Sequence, residues 1–210
     1  MLGFIFNYKF RKSLRVLAYH DVKNENYLEN HIKFLIKRGY SIIDIKTLNN
    51  HLYSGATLPY KPILLTFDDG DFTVLKNGIS VLKKYNVPSV LFVITDLIDS
   101  NKPFWWDRIR KTLREKGENK NEIIKQIAFY KKCPNKTRLE FLETLPITEY
   151  QQLTKEELIF LRDNGMSIAN HTHTHPMLDS CTSEEIKQEM DLSKRQFEKF
   201  NIDGFSCFAY

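Results

Sequence analysis

Short apolar runs of about five residues alternate along the chain with stretches whose apolar positions recur every three or four residues. Continuous short runs between turn residues predict buried strands, and the longer spacing predicts amphipathic helices. Val16-Leu17-Ala18-Tyr19-His20 reads as a first strand. A helix between Tyr27 and Arg38 follows, with Leu28, Ile32, Leu35 and Ile36 on one face and Gly39 as its stop. Tyr40-Ser41-Ile42-Ile43 is a second strand, Ile63 to Phe67 a third and Val90 to Ile94 a fourth. Val74, Gly78, Ile79, Leu82 and Tyr85 have helical spacing between the last two. Thr154-Lys155-Glu156-Glu157 has the capping-box pattern, opening a helix that stops at Gly165 before a strand at 166–169. Thr182-Ser183-Glu184-Glu185 repeats that pattern ahead of a stripe of Ile186, Met190, Phe197 and Phe200. Gly204 to Tyr210 reads as one more core strand. Residues 101–150, rich in lysine and arginine, break the rhythm and are expected to be a helical insertion. Repeated strand–helix units predict a parallel α/β architecture, in which sites gather at the C-terminal ends of strands.

Two of those strand ends carry chemistry. Ile63-Leu64-Leu65-Thr66-Phe67 delivers Asp68 and Asp69 onto Gly70. Adjacent carboxylates repel, and a cation between them and the rest of a site would remove that cost. About a hundred residues later, His171, His173 and His175 follow the next apolar run. The i, i+4 pair His171 and His175 converges on one metal if the segment is helical or tightly turned. Two imidazoles and a carboxylate are ordinary zinc ligands, and three of them leave a position open for water. His173, two residues from each, points elsewhere on such a segment, while Thr172 and Thr174 are expected to orient the turn through side-chain-to-backbone hydrogen bonds.

Thr66-Phe67-Asp68-Asp69-Gly70 resembles the first motif of the NodB-homology polysaccharide deacetylases, and His171-Thr172-x-x-His175-Pro176 resembles the second. Both stand in the family's order, each closing a strand. The resemblance implies an incomplete or distorted parallel (β/α) barrel as a single domain over residues 1–210. It implies a divalent metal, zinc first, on Asp69, His171 and His175, with Asp68 as general base. It further implies removal of N-acetyl groups from amino sugars of a polysaccharide or glycolipid precursor. His20 resembles the histidine of a Tyr-His opening found in one branch of the family. It is read either as touching substrate or as bonded to the backbone. Ala209 falls where the family's third motif has its arginine, so the rest of that motif, and the residue supplying the general acid, are expected to lie beyond Tyr210, as in a C-terminally truncated domain. An inactive remnant that binds metal or glycan without turnover, and an O-acetyl esterase using the same site, are the rival readings.

Trp105 and Trp106 stand side by side in the insertion, where indole could stack on a sugar ring; an anchor holding the insertion is the commoner outcome. Tyr210 joins His20 and the tryptophans as a substrate-binding candidate. Composition narrows the remaining choices. With 42% hydrophobic and 27% charged residues the chain is an ordinary globular one, and a net charge of +5 spread along it gives no reason to invoke nucleic acid. Cys133, Cys181 and Cys207 are odd in number and widely spaced, which fits free thiols in a reducing compartment. The start, Met1 to Phe6, is apolar, short and followed by Lys9, Arg11 and Lys12, the wrong order for a signal peptide. No run is long enough for a membrane span. The expectation is a cytoplasmic protein, with loose attachment to a membrane surface left open.

Overall fold

The computed structural model describes residues 13–210; Met1 to Phe6 and the basic Lys9, Arg11 and Lys12 lie outside the described residues. Contacts divide the chain into two compact units, Met1–Val93 with Glu156–Ala169, and Ile94–Lys155 with Asn170–Tyr210.

The first unit is built on a parallel sheet. Strand β3 (Pro62–Phe67) is its hub, buried at all six positions as a strand covered on both faces must be. Strand β1 (Arg15–Tyr19) runs parallel to it from the Arg15–Ile63 pair to the Tyr19–Phe67 pair. Strand β2 (Ser41–Ile43) pairs parallel along Pro62 to Leu64, and β4 (Ser89–Val93) along Thr66 and Phe67. Strand β5 (Met166–Asn170) follows β4 in the order β1-β3-β4-β5. The fold is therefore α/β with a parallel sheet, and among the described residues its strands do not close into a barrel.

Helix α1 (Glu25–Lys37) buries Leu28, Ile32 and Leu35. Ile36, expected on the same face, is 48% exposed, because helical rotation puts it at the outer edge of the stripe that Leu28, Ile32 and Leu35 define. Helix α2 (Ile45–Ser54) has no counterpart in the apolar pattern, since it buries no residue at all. Its ends carry the signal instead: the Asp44 carboxylate accepts from the Thr47 N–H, and Gly55 stops the helix in the left-handed conformation. Val74–Gly78 forms a π-helical turn leading into α3 (Ile79–Lys84), which buries Ile79, Val81 and Leu82. Helix α7 (Lys155–Asp163) buries Leu158 and Leu161.

In the second unit, residues 101–150 hold three helices, α4 (Trp105–Glu115), α5 (Lys120–Tyr130) and α6 (Asn135–Glu143). Trp105, Ile109 and Leu145 form one apolar cluster, and Ile94, Leu97 and Phe104 another. Helix α8 (Ser183–Phe200) opens with the expected capping box: the Thr182 hydroxyl accepts from the Glu185 N–H, and the Glu185 carboxylate accepts from the Thr182 N–H. Its buried face differs from the predicted stripe. Phe197 and Phe200 are buried, Ile186 and Met190 only half so, and the centre of the face is Glu189 and Ser193. The segment 204–210 is not a strand either. It makes a single bridge, Asn170 with Phe208, so apolar composition there supplies packing without a ladder. All three cysteines are free. No helix among the described residues is long and apolar enough to cross a membrane.

Candidate functional site

The carboxylate corner belongs to the first unit. The Asp68 N–H donates to the Tyr19 carbonyl at 2.7 Å, extending the β1–β3 pairing one residue past β3. The chain then leaves the sheet through two successive left-handed residues, Asp69 (φ 71°) and Gly70 (φ 79°). Gly70 has two reasons to be glycine: its φ, and a Cβ there would meet a Val93 methyl at 3.3 Å. Asp69 lacks that licence, and a non-glycine left-handed residue costs roughly 1–2 kcal/mol, so its surroundings hold it there. The loop beyond supplies part of the hold. The Asp71 carboxylate accepts from the Thr73 N–H at 2.8 Å, and the Thr73 hydroxyl accepts from the Val22 N–H at 2.9 Å. Asp69 ends up 9% exposed.

The histidine turn belongs to the second unit. It is not helical: Thr172 (φ 68°) and His175 (φ 56°) are both left-handed, folding the segment so that the two Nε2 atoms of His171 and His175 lie 3.2 Å apart. Four sets of bonds fix this shape. The Thr172 N–H donates to the Asn170 side-chain carbonyl at 2.9 Å, and the Thr172 hydroxyl accepts from the His175 N–H at 3.0 Å. Buried Glu189 accepts from the N–H groups of His173 (2.8 Å) and Thr174 (2.7 Å) and from the Thr174 hydroxyl (2.7 Å). Thr174 thus anchors to a side chain on α8 rather than to backbone. The His175 carbonyl accepts from Trp105 Nε1 at 3.2 Å and Arg138 Nη1 at 2.9 Å. Lastly, His171 Nδ1 is 2.9 Å from the Ala209 carbonyl. A carbonyl can only accept, so Nδ1 carries the proton and the Nε2 of neutral His171 keeps its lone pair for a metal.

Arg138 is 2% exposed, lies 5.0 Å over the Trp105 ring and donates from Nη2 to Asn135 Oδ1 at 2.7 Å. Burial pushes its pKa down, opposed by Cys181, Glu189 and other nearby groups; guanidinium stays charged regardless. His173 turns away from the pair. Its Nδ1 is 2.9 Å from the Thr95 hydroxyl and its Nε2 is 3.8 Å from Asp96. Burial pushes its pKa down, with Asp96 and Glu189 opposing.

One ligand atom from each of Asp69, His171 and His175 lies within 4.8 Å of the others, a candidate metal site of one carboxylate and two imidazoles. Two of the substrate candidates are exposed: His20, just past the end of β1, and Tyr210, stacked on Phe208 at 5.5 Å. Trp105 is buried in the apolar cluster of α4, while half-buried Trp106 stacks on Phe104 and lies 5.1 Å from the His175 ring. Glu189 and Arg138 escaped the sequence reading. A glutamate on the apolar stripe of α8 was a readable anomaly; Arg138, one cation among many in a basic region, was not.

The profile of the polysaccharide deacetylases matches residues 55–210. This chain belongs to the polysaccharide deacetylase family. The polysaccharide deacetylase homologue YxkH of Bacillus subtilis (strain 168) is 24% identical over 204 residues, covering 94% of this chain and 56% of that protein. The poly-β-1,6-N-acetyl-D-glucosamine N-deacetylase of Staphylococcus aureus (strain MSSA476) is 31% identical over a stretch covering 40% of this chain and 36% of the relative. The chain thus spans little more than half of the first relative and about a third of the second. Among solved structures, IcaB of Ammonifex degensii superposes with a TM-score of 0.64 at 16% identity, covering 94% of this chain and 73% of that one. The Streptococcus pyogenes deacetylase PplD gives 0.58 at 18% identity, covering 92% and 71%. At these identities the superpositions establish the fold. They agree that this member of the polysaccharide deacetylases is an α/β protein with a parallel sheet.

Proposed function

We propose that the chain is a metal-dependent glycan N-deacetylase, with Asp69, His171 and His175 holding one divalent ion, zinc first, and Asp68 acting as general base. The observation that carries this reading is the clustering of one aspartate and two histidine ligand atoms within 4.8 Å. That donor set suits zinc and leaves room for water. A divalent ion held there would lower the pKa of a bound water and polarise an acetyl carbonyl. The residues of the chain do the rest. Asp68, adjacent to a ligand carboxylate, takes the water proton. His171, its Nδ1–H committed to the Ala209 carbonyl, offers Nε2 in fixed orientation. Half-buried Trp106, beside His175, offers an apolar surface to the substrate, and exposed His20 and Tyr210 are the outer contacts. An N-acetylated amino sugar is the substrate class, supported by the similarity to the poly-β-1,6-N-acetyl-D-glucosamine N-deacetylase of Staphylococcus aureus.

The test pairs metal content with acetate release. The purified chain should hold about one zinc after exposure to it, and Asp69→Ala and His175→Ala should each lose it. Acetate released from β-1,6-linked N-acetylglucosamine oligomers by the parent, and not by Asp68→Asn with its metal retained, would complete the case. A parent that takes up no zinc sinks the proposal.

A further inference from the structure

Wholly within the second unit lies a cavity of about 620 Å³, in the range of a small-molecule site. Its walls are carried largely by Leu97, Phe104, Trp106, Leu139, Leu142 and Ile147. Thr174, next to His175, also lines it, and the Trp106 wall lies 5.1 Å from the His175 ring.

Most of its polar lining groups are already engaged within the protein, while Asn101 and Glu149 are exposed and Thr148 is half-buried. Arg108 donates to the carbonyls of Leu145 and Pro146, and Arg138 to Asn135 and the His175 carbonyl. Lys102 binds Asp96 at 2.7 Å, the Ser100 hydroxyl donates to the Leu97 carbonyl, and the Thr174 hydroxyl donates to Glu189. A sugar entering this space would trade its hydration for few new hydrogen bonds, which is costly. An apolar chain has no such loss. At the mouth, Ile147 is 92% exposed and Leu139 42%, apolar surface in water that an inserted chain would cover.

From this geometry we infer that the cavity receives an apolar, lipid-like chain joined to the saccharide, making the substrate a glycolipid rather than a free glycan. The inference rests on the deacetylase reading for what the chain is attached to, and on the cavity alone for the chain itself.

Both tryptophans of the protein line the cavity, so intrinsic fluorescence reports its occupancy directly. The probes are methyl, hexyl and decyl β-glycosides of N-acetylglucosamine, titrated below their micelle concentrations. Affinity should rise about two- to fourfold per methylene, as burial of about 0.8 kcal/mol per CH₂ at most allows. Ile147→Glu and Leu139→Glu, substitutions at exposed positions that leave the fold intact, should flatten the rise. Methyl and decyl glycosides of equal affinity, or a rise untouched by both variants, overturns the inference. Acetate release without chain-length dependence would sink the lipid site and spare the deacetylase reading. Chain-length-dependent binding without acetate release would do the reverse.

Discussion

At the scale of single residues, the site is held by groups that do not themselves reach a metal. Thr172 and His175 occupy left-handed backbone that their side chains disfavour, and Glu189 with three accepted hydrogen bonds is the strongest fixture of that turn. Glu189→Ala strands two backbone N–H groups and a hydroxyl in a buried place. A stability loss of about 2–4 kcal/mol and a zinc affinity lowered about 10- to 100-fold are expected. Glu189→Gln keeps a carbonyl for the N–H pair and an amide donor for the Thr174 hydroxyl, so it should recover most of both. Zinc titration of the two variants well below their melting temperatures checks this. An alanine variant that binds zinc like the parent would show that the turn holds without the clamp. The proposed ligand residues were legible because metal chemistry restricts such ligands to few residue types at short spacing. The clamp was not, because one carboxylate accepting backbone donors needs no spacing rule, only burial.

Elements were legible where burial follows a period and hidden where it does not. The capping box of α8 and the continuous strands announced themselves, whereas α2 buries nothing and could only be read from Asp44 and Gly55 at its ends. The segment 204–210 misled for the opposite reason, since Phe205 and Phe208 are apolar yet form no ladder. Between elements, polar ties do work that no single periodicity reveals. Glu29 on α1 accepts from the Tyr85 hydroxyl at 2.6 Å, Lys84 at 2.9 Å and Lys33 at 3.0 Å, joining α1 to the end of α3. Those bonds, the tyrosine's foremost, lower its pKa from 4.5 to about 2. A depressed carboxylate contributes stability in full above its unfolded pKa and loses it as pH falls through its folded one. The parent should therefore exceed Glu29→Gln in urea stability at pH 6, with the gap closing between about pH 4.5 and pH 2. A gap that stays constant from pH 6 to pH 3 would mean that Glu29 is not ionised against these partners in the native state.

On the scale of the whole molecule, the two motifs that revealed the family are separated by about a hundred residues of chain. The carboxylate end of β3 lies in one compact unit and the histidine turn in the other, a division that no strand or helix periodicity announces. Sequence could name Asp69, His171 and His175 because each motif is local, but a site that needs all three also needs the fold. An ion bound by all three therefore binds the native chain and not the unfolded one, which converts metal affinity into stability. Zinc held at about a hundred times its dissociation constant adds about 2.7 kcal/mol, which for a chain of this length moves the melting temperature by about 5–10 °C. Asp69→Ala and His175→Ala should each melt at the same temperature with and without zinc, while the parent responds. An equal rise in parent and variants would assign the effect to zinc bound elsewhere on the surface. A rise confined to the parent would show that residues from both motifs close on one ion only when the chain is folded.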